Sequence, residues 1–250
     1  MEAYEMDKEP KEYYPDNTHG GEHLLARTDF TLSTKVRNLL KVMSQAKWQG
    51  GKKKGKIKAK SIASVTTGND RIFRSKEQAH ILDTAVTVLC DHACKSGLML
   101  NDCLNKLNIP VEILSFTTES ELRCKHNIMT AHNKKNTTAE VANAFENQGR
   151  KRNNNDGESI LWAHDRLIKH KAKRKVLIVL SDGQPAGKRG IAALTVRVVR
   201  DIEQHSPVEV FSIGIETDTT KEIYSRTKVI NNASDLEPAL LDVLKQSLKS

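Results

Sequence analysis

Two aspartates lie directly after runs of apolar residues that are typical of buried β-strands. Asp91 follows TAVTVLC (Thr84–Cys90), and Asp182 follows KVLIVLS, a nearly continuous Val/Ile/Leu run that begins at Lys175. A buried parallel strand delivers the residue after it to the carboxyl edge of the sheet, where ligands bind in open α/β folds. The pattern therefore predicts a metal site at this edge. An ordinary turn is the alternative at Asp182, since Asp-Gly pairs favour turns.

Asp156 is the third acidic candidate. It lies in NNDGES, just before a helical pattern. An aspartate there can cap the helix by accepting a hydrogen bond from a free backbone N–H group. The metal-ligand role that a family resemblance described below implies for Asp156 is compatible with this capping role.

The four cysteines predict free thiols rather than a disulfide framework. Cys90, Cys94, Cys103 and Cys124 contain no C-x-x-C pair, and three of them lie in or beside apolar segments. This usage is typical of a reducing compartment. Cys90, His92 and Cys94 form a short Cys/His group, but no second Cys/His pair completes a tetrahedral set, so zinc is not predicted there.

The elements that must position these residues alternate between strands and helices. The predicted strands are Thr84–Cys90, Val111–Phe116, Lys175–Gly183, Val208–Ile215 and Lys228–Ile230. The predicted helices are Ala93–Leu107, Thr138–Phe145, Glu158–His170, Ile191–His205 and Ser234–Leu248. This alternation predicts an α/β fold with a doubly wound, mainly parallel sheet flanked by helices.

Composition changes along the chain predict three regions. Residues 1–30 are polar and contain Pro10, Pro15 and a Gly-Gly pair, which predicts a flexible tail. Residues 31–80 comprise a short amphipathic helix, predicted at Ser33–Ala46, and a basic extension. Residues 81–250 form the α/β domain.

Positive charge concentrates in two short segments. The formal net charge is +9, and the densest lysine run is QGGKKKGKIKAK, which includes Lys52, Lys53 and Lys54. A second run, KHKAKRK, contains Lys173 and Arg174. Both suit an acidic protein partner or nucleic acid, although a solvated surface is the simpler interpretation of each. Aromatic residues make up only 4% of the chain, which disfavours a base-stacking platform.

Several functional classes are excluded or disfavoured. The chain has no G-x-S-x-G, Walker A or G-x-G-x-x-G motif, so we do not expect catalysis by this chain alone. The N-terminus resembles neither a signal nor a transit peptide, and no apolar run is long enough to span a membrane. We therefore predict a cytoplasmic protein without a membrane partner.

Five stretches together resemble the C-terminal von Willebrand factor A (VWA) domain of the CobT-type subunit of aerobic cobaltochelatase. They are DTAVTVL, IPVEILSFTT, NNDGESILWAHDRL, KVLIVLSDGQPAG and HSPVEVFSIGI. The resemblance extends from about Trp48 to the end of the chain. The combination is specific, whereas the SDG turn alone occurs in many VWA domains.

The resemblance implies a six-stranded Rossmann-like domain with a metal-ion-dependent adhesion site. Asp91 matches the first aspartate of that site, Asp182 matches the aspartate of the SDG turn, and Asp156 or Asn154 falls on the loop that supplies the middle ligand. The implied cation is Mg²⁺, which binds oxygen ligands in octahedral array and keeps a position for a partner's carboxylate.

One part of the family's site has no counterpart. In the family the site opens with D-x-S-x-S, whose D matches Asp91, but Ala93 and Lys95 occupy the two serine positions here. Alanine offers no ligand, and a lysine ammonium would compete with the cation. A natural loss that gives a metal-free domain, an engineered loss and a loop missing from this sequence remain open.

The resemblance further implies a non-catalytic adaptor subunit. In the family, this subunit works with an AAA+ ATPase of the CobS/MoxR type and a large chelatase subunit that inserts cobalt into a corrin ring during cobalamin biosynthesis. The chain lacks the family's long N-terminal region and acidic linker, and compact homologues occur in tailed bacteriophages. The alternative is a metal-free VWA interaction or structural protein that binds an acidic protein or nucleic acid through its basic segments.

Overall fold

The computed structural model describes thirteen segments of the chain. These are residues 11–26, 47–77, 83–91, 94–106, 108–120, 123–149, 153–183, 185, 190–232, 235–236, 238–239, 242–243 and 246. The helix predicted at Ser33–Ala46 lies outside them, as do most positions of the helix predicted at Ser234–Leu248.

Ten strands and six α-helices have defined bounds among the described residues, and further helical residues lie between 236 and 246. The strands are β1 (Glu12–Tyr13), β2 (Lys47–Lys52), β3 (Lys56–Ile57), β4 (Phe73–Glu77), β5 (Thr84–Cys90), β6 (Val111–Ser120), β7 (Arg123–Thr130), β8 (Arg174–Ser181), β9 (Val208–Ile215) and β10 (Thr227–Ile230). The helices are α1 (Glu22–Ala26), α2 (Cys94–Lys106), α3 (Thr138–Glu146), α4 (Asp156–Ile168), α5 (Ile191–His205) and α6 (Thr220–Ile223). A 3₁₀ helix covers Ala59–Thr67.

The main sheet has seven strands in the order β1-β7-β6-β5-β8-β9-β10. All neighbours pair in parallel except β6 and β7, which are antiparallel. The predicted doubly wound, mainly parallel α/β fold is therefore confirmed. A separate three-stranded antiparallel sheet, in the order β2-β4-β3, lies within the basic extension.

Helices cover both faces of the main sheet because the buried strands carry apolar side chains on both sides. Along β5, Val86, Val88 and Cys90 face the cluster that includes α2 and α3. Ala85 and Leu89 face the cluster that includes α4 and α5. Alternation of side chains along a strand produces this division.

Strand β7 is an element that the sequence-based prediction missed. Its sequence, RCKHNIMT, contains no long apolar run, yet six of its eight residues are buried, five of them consecutively from His126 to Thr130. It follows β6 as a hairpin and places β1 at the sheet edge, so the sheet has seven strands where the family resemblance implied six.

Residues 11–26 lie against the sheet, within the segment predicted as a flexible tail. Strand β1 pairs in parallel with β7, and Leu24 is buried in the core. The backbone N–H of Gly21 donates to Asn143 Oδ1 at 2.8 Å. These sixteen residues gain order from tertiary contacts that local polarity does not reveal.

No helix within the described part of the chain combines the length and the apolar content needed to cross a lipid bilayer.

Candidate functional site

Asp91 and Asp182 extend adjacent strands at the point where the chain changes direction across the sheet. Strands β5 and β8 are neighbours, but the next strand after β5 lies on one side and the next after β8 lies on the other. Such a switch point opens a crevice outside the carboxyl ends of the two strands. The backbone N–H of Asp91 continues the pairing by donating to Leu180 O at 2.8 Å. The sheet thus brings these two predicted residues to one edge.

Asp156 is the first residue of α4 and is almost fully buried, with 4% exposure. Burial raises its pKa well above the usual value, and the nearby charges of Asp91 and Asp182 raise it further. Among the described residues, its Oδ1 atom has no hydrogen-bond partner. The structure therefore joins all three predicted carboxylates into one electrostatically coupled group.

Asn154 orients one member of this group. Its Nδ2 atom donates to Asp91 Oδ2 at 2.7 Å, and the Asp91 side chain is fully buried. Close packing of α4 on α5 holds the preceding loop in place, because a Cβ atom at Gly157 would lie 3.2 Å from the Thr195 backbone. Asn154 therefore orients Asp91 through a hydrogen bond. The sequence had left it open whether Asn154 or Asp156 supplies the middle metal ligand.

Tyr224 is a component of this region that sequence reasoning missed. It is 5% exposed, and burial raises the pKa of its hydroxyl well above the usual value, with further contributions from Asp156 and Asp91. It lies between α6 and β10, where no motif marks it. Its hydroxyl therefore lies within electrostatic range of Asp156 and Asp91.

The acidic group offers oxygen ligands of the kind that a hard divalent cation prefers. As placed, its three carboxylates do not bring their oxygens within 4.8 Å of one another, so a shared cation would require the side chains to move. The group offers carboxylate oxygens from three parts of the fold, and Asp156, one of its two buried members, carries an oxygen that lacks a hydrogen-bond partner among the described residues. Oxygen ligands of this kind suit Mg²⁺, which also retains several waters. The Lys95 side chain, expected to compete with the cation, is exposed in the first turn of α2. Ala93 lies outside the described residues.

The predicted basic residues fall in two separate places. Lys53 and Lys54 are exposed and Lys52 is half-buried, all at or after the end of β2, and Lys53 pairs with Asp70 at 2.7 Å. Lys173 and Arg174 lie at the opposite end of β8 from Asp182, about 25 Å away along an eight-residue strand.

Arg174 and Lys173 differ in their availability to a partner. The Arg174 Nε atom is committed to Glu209 Oε1 at 2.7 Å, and its side chain is only 16% exposed. Lys173 is 82% exposed and lies 3.7 Å from Asp83.

Residues 122–249, slightly more than half of the chain, match the family model described as the cobalamin biosynthesis protein CobT VWA domain. Solved structures similar to this chain include the conserved hypothetical protein BatB from Bacteroides thetaiotaomicron, at 12% identity and a TM-score of 0.48, covering 67% of this chain and 99% of that one. Proximal thread matrix protein 1 from the mussel byssus matches at 13% identity and a TM-score of 0.47, over 66% of this chain and 47% of that one. A von Willebrand factor type A protein from Catenulispora acidiphila matches at 11% identity and a TM-score of 0.46, over 70% and 44%.

Proposed function

The chain belongs to the family of CobT VWA domains, and on that premise we propose that it is an adaptor subunit that docks onto an AAA+ ATPase of the CobS/MoxR type. The proposed contact is a Mg²⁺ ion held by Asp91, Asp156 and Asp182. Family membership associates the chain with cobalamin biosynthesis. ATP-dependent cobalt insertion, with a large chelatase subunit as a further partner, is the activity we propose for the complete complex. A cytoplasmic location remains part of the proposal.

The observation that carries this proposal is the convergence of the three carboxylates at the switch point of the sheet. Asp91 and Asp182 end adjacent strands, and their charges raise the pKa of the buried Asp156. Two buried acids, Asp91 and Asp156, beside the exposed Asp182 cost free energy unless a cation compensates them. A site with this cost is typical of function rather than of stability.

Each residue has a distinct role in the proposed docking. Asp91 and Asp182 present carboxylate oxygens from the rigid ends of β5 and β8, and Asn154 fixes the orientation of Asp91 through its 2.7 Å hydrogen bond. Asp156 would offer its Oδ1 atom, which has no hydrogen-bond partner among the described residues, as the third ligand. Bound Mg²⁺ would supply a positive charge with a coordination position that a partner's carboxylate can occupy.

The test is a binding measurement between this chain and a purified CobS/MoxR-type ATPase by isothermal titration calorimetry. We expect binding in Mg²⁺ that is lost in EDTA and weakened at least about tenfold by Asp182→Asn, a loss of about 1.4 kcal/mol. Asp201→Asn, an exposed aspartate that pairs with His205 on α5, is the matched control and should bind normally. Equal binding by Asp182→Asn and the wild type would contradict the proposed docking.

A second candidate is a metal-free interaction protein that uses the basic extension. In its favour, Lys53 and Lys54 belong to the same short stretch of sequence as Ile57 and Ile62, whose side chains are each 50% exposed. Exposed apolar and basic residues together suit an acidic partner surface. The same titration separates the candidates, because this one predicts binding that falls steeply with salt and does not respond to EDTA or to Asp182→Asn.

A further inference from the structure

A second group of potential metal ligands lies on the other side of the first turn of α4. Cys124 and His126 are two residues apart on β7, so their side chains point to the same face of the sheet. Glu158 reaches that face from α4. One ligand atom from each of the three residues lies within 4.8 Å of the other two, and all three residues are buried.

Further polar side chains surround this Cys-His-Glu cluster. Asn155, Glu158 and Ser159 hydrogen-bond with the Cys124 thiol. The hydroxyl of Ser159 also lies 3.2 Å from His126 Nε2. The other ring nitrogen, Nδ1, has no hydrogen-bond partner among the described residues, although His126 is fully buried.

The ligand types favour a borderline transition metal over Mg²⁺. A thiolate sulfur, an imidazole nitrogen and a carboxylate oxygen together match the preferences of Zn²⁺ and Co²⁺. Ligand atoms around a tetrahedral Zn²⁺ lie roughly 3.3–3.8 Å apart, given bond lengths of about 2.0–2.3 Å. The ligand atoms of the cluster lie up to 4.8 Å apart, so each pair must approach by at most about 1.0–1.5 Å. Movements of about 1 Å or less by each side chain would achieve this. The Ser159 hydroxyl or a water could supply the fourth ligand.

The Cys-His-Glu cluster is separate from the acidic group of Asp91, Asp156 and Asp182. Asp156 and Glu158 are two residues apart in α4, which corresponds to a rotation of about 200° around the helix axis. Their side chains therefore leave the helix on nearly opposite sides. Asp156 faces Asp91 and Asp182, whereas Glu158 faces β7. The first turn of α4 can thus serve both groups.

We propose that Cys124, His126 and Glu158 bind one Zn²⁺-class metal ion that fastens α4 to β7. Binding releases the thiol proton, since the thiolate is the metal-binding form. The site would hold the helix that carries Asp156, and a metal-stabilised protein would unfold at higher temperature than the metal-free one.

The experiment uses the full chain, stripped of metal by a chelator under reducing conditions and titrated with Co²⁺ as a spectroscopic probe. We expect one equivalent of Co²⁺ to produce a thiolate-to-cobalt charge-transfer band, and one equivalent of Zn²⁺ to displace it. Cys124→Ala should abolish the band. Cys103→Ala, which alters a buried cysteine of α2, should retain it.

Two further variants complete the design. Glu158→Gln should weaken Co²⁺ binding at least about tenfold, the lower end of what disturbing a metal site usually costs. Asp182→Asn should leave the band intact, which separates this site from the proposed Mg²⁺ site. Circular dichroism of each metal-free variant shows whether it has folded.

The Co²⁺ titration of the wild-type protein tests the proposal even if a variant does not fold. A wild-type protein that takes up less than one equivalent of Co²⁺, or whose Co²⁺ spectrum lacks a thiolate band, would overturn the proposal. A band that persists in folded Cys124→Ala would overturn it as well. The Cys-His-Glu cluster would then be a hydrogen-bonded contact between α4 and β7 only.

Discussion

At the scale of single residues, the acidic group lowers the stability of the metal-free protein while it provides ligands for the proposed cation. Asp156 is 4% exposed and lies close to Asp91 and Asp182, which both disfavour its ionised form. Without a cation, folding therefore imposes a cost on this carboxylate at neutral pH. A neutral side chain of the same shape removes that cost.

Asp156→Asn should stabilise the metal-free protein at pH 7 by about 1–3 kcal/mol in its free energy of unfolding. The pKa of Asp156 is raised in the folded state, so the contribution of this carboxyl group to stability is fully present below the unfolded pKa of about 3.9 and is lost as pH rises through the folded value. The stability difference between Asp156→Asn and the wild type should become smaller as the pH is lowered towards about 4. Urea unfolding across this pH range measures it.

The control for this prediction is Asp218→Asn, which changes an exposed aspartate whose side chain is 76% accessible. It should leave stability unchanged over the same pH range. Addition of Mg²⁺ should stabilise the wild type but not Asp156→Asn. A metal-free Asp156→Asn protein that is less stable than the wild type at pH 7 would show that the carboxylate is compensated within the protein.

At the scale of elements, close approach of helix to strand positions the crevice. A Cβ atom at Gly97 of α2 would lie 2.6 Å from Cys90 Sγ and 3.1 Å from Phe145 Cζ. Glycine therefore lets α2 pack directly on β5, immediately after Asp91. A capping box at Thr137 and Glu140 begins α3, the helix that carries Phe145.

Gly97→Ala should destabilise the protein by about 1–3 kcal/mol, because the added methyl group overpacks the α2–β5 contact. This would occur even though alanine favours a helix interior over glycine by about 1 kcal/mol. Lys95→Ala, an exposed change in the same helix, is the control and should have little effect. Thermal unfolding measures both.

A double-mutant cycle tests the stated cause. Removal of the sulfur in Cys90→Ala should make Gly97→Ala less costly than it is alone, with a coupling of about 0.5 kcal/mol or more. Additive effects of the two changes would place the strain elsewhere, for example at Phe145.

At the scale of the whole molecule, the N-terminal arm of residues 11–26 completes the sheet edge. Glu12 accepts hydrogen bonds from Trp162 Nε1 at 3.0 Å and from Arg166 at 2.6 Å. Arg166 also donates to Glu112, which is 2% exposed, so the arm shares in compensating a buried charge. Asn143 holds the arm from α3, through bonds to Gly21 N and Asn17 O.

Asn143→Ala should loosen the N-terminal arm and cost about 1–3 kcal/mol, because it removes both of these hydrogen bonds at a buried position. Amide hydrogen exchange followed by mass spectrometry should show lost protection in residues 11–26 before the rest of the sheet opens. Asn105→Ala, which removes a hydrogen bond within α2, is the control and should leave the arm protected. Amide hydrogen exchange in residues 11–26 that is the same in Asn143→Ala as in the wild type would contradict the prediction.

The sequence by itself determined the strands that form the centre of the sheet and the two aspartates that end them. The runs TAVTVLC and VEVFSIGI match β5 and β9 residue for residue, because strands buried on both faces carry mainly apolar side chains. Asp91 and Asp182 followed from the same pattern, since a parallel strand presents its last residues at a known edge. The match to the CobT family added Asp156 through its loop.

Only the tertiary structure decided which polar residues are buried together. Strand β7 carries alternating Cys124, His126 and Ile128, a period-two signal that could have predicted a strand but not its partner. The approach of Glu158 to this strand, and of Tyr224 to the acidic group, depends on how α4 and α6 pack on the sheet. Such contacts join residues distant in sequence, and their free energy comes from burial and pairing that no local pattern records.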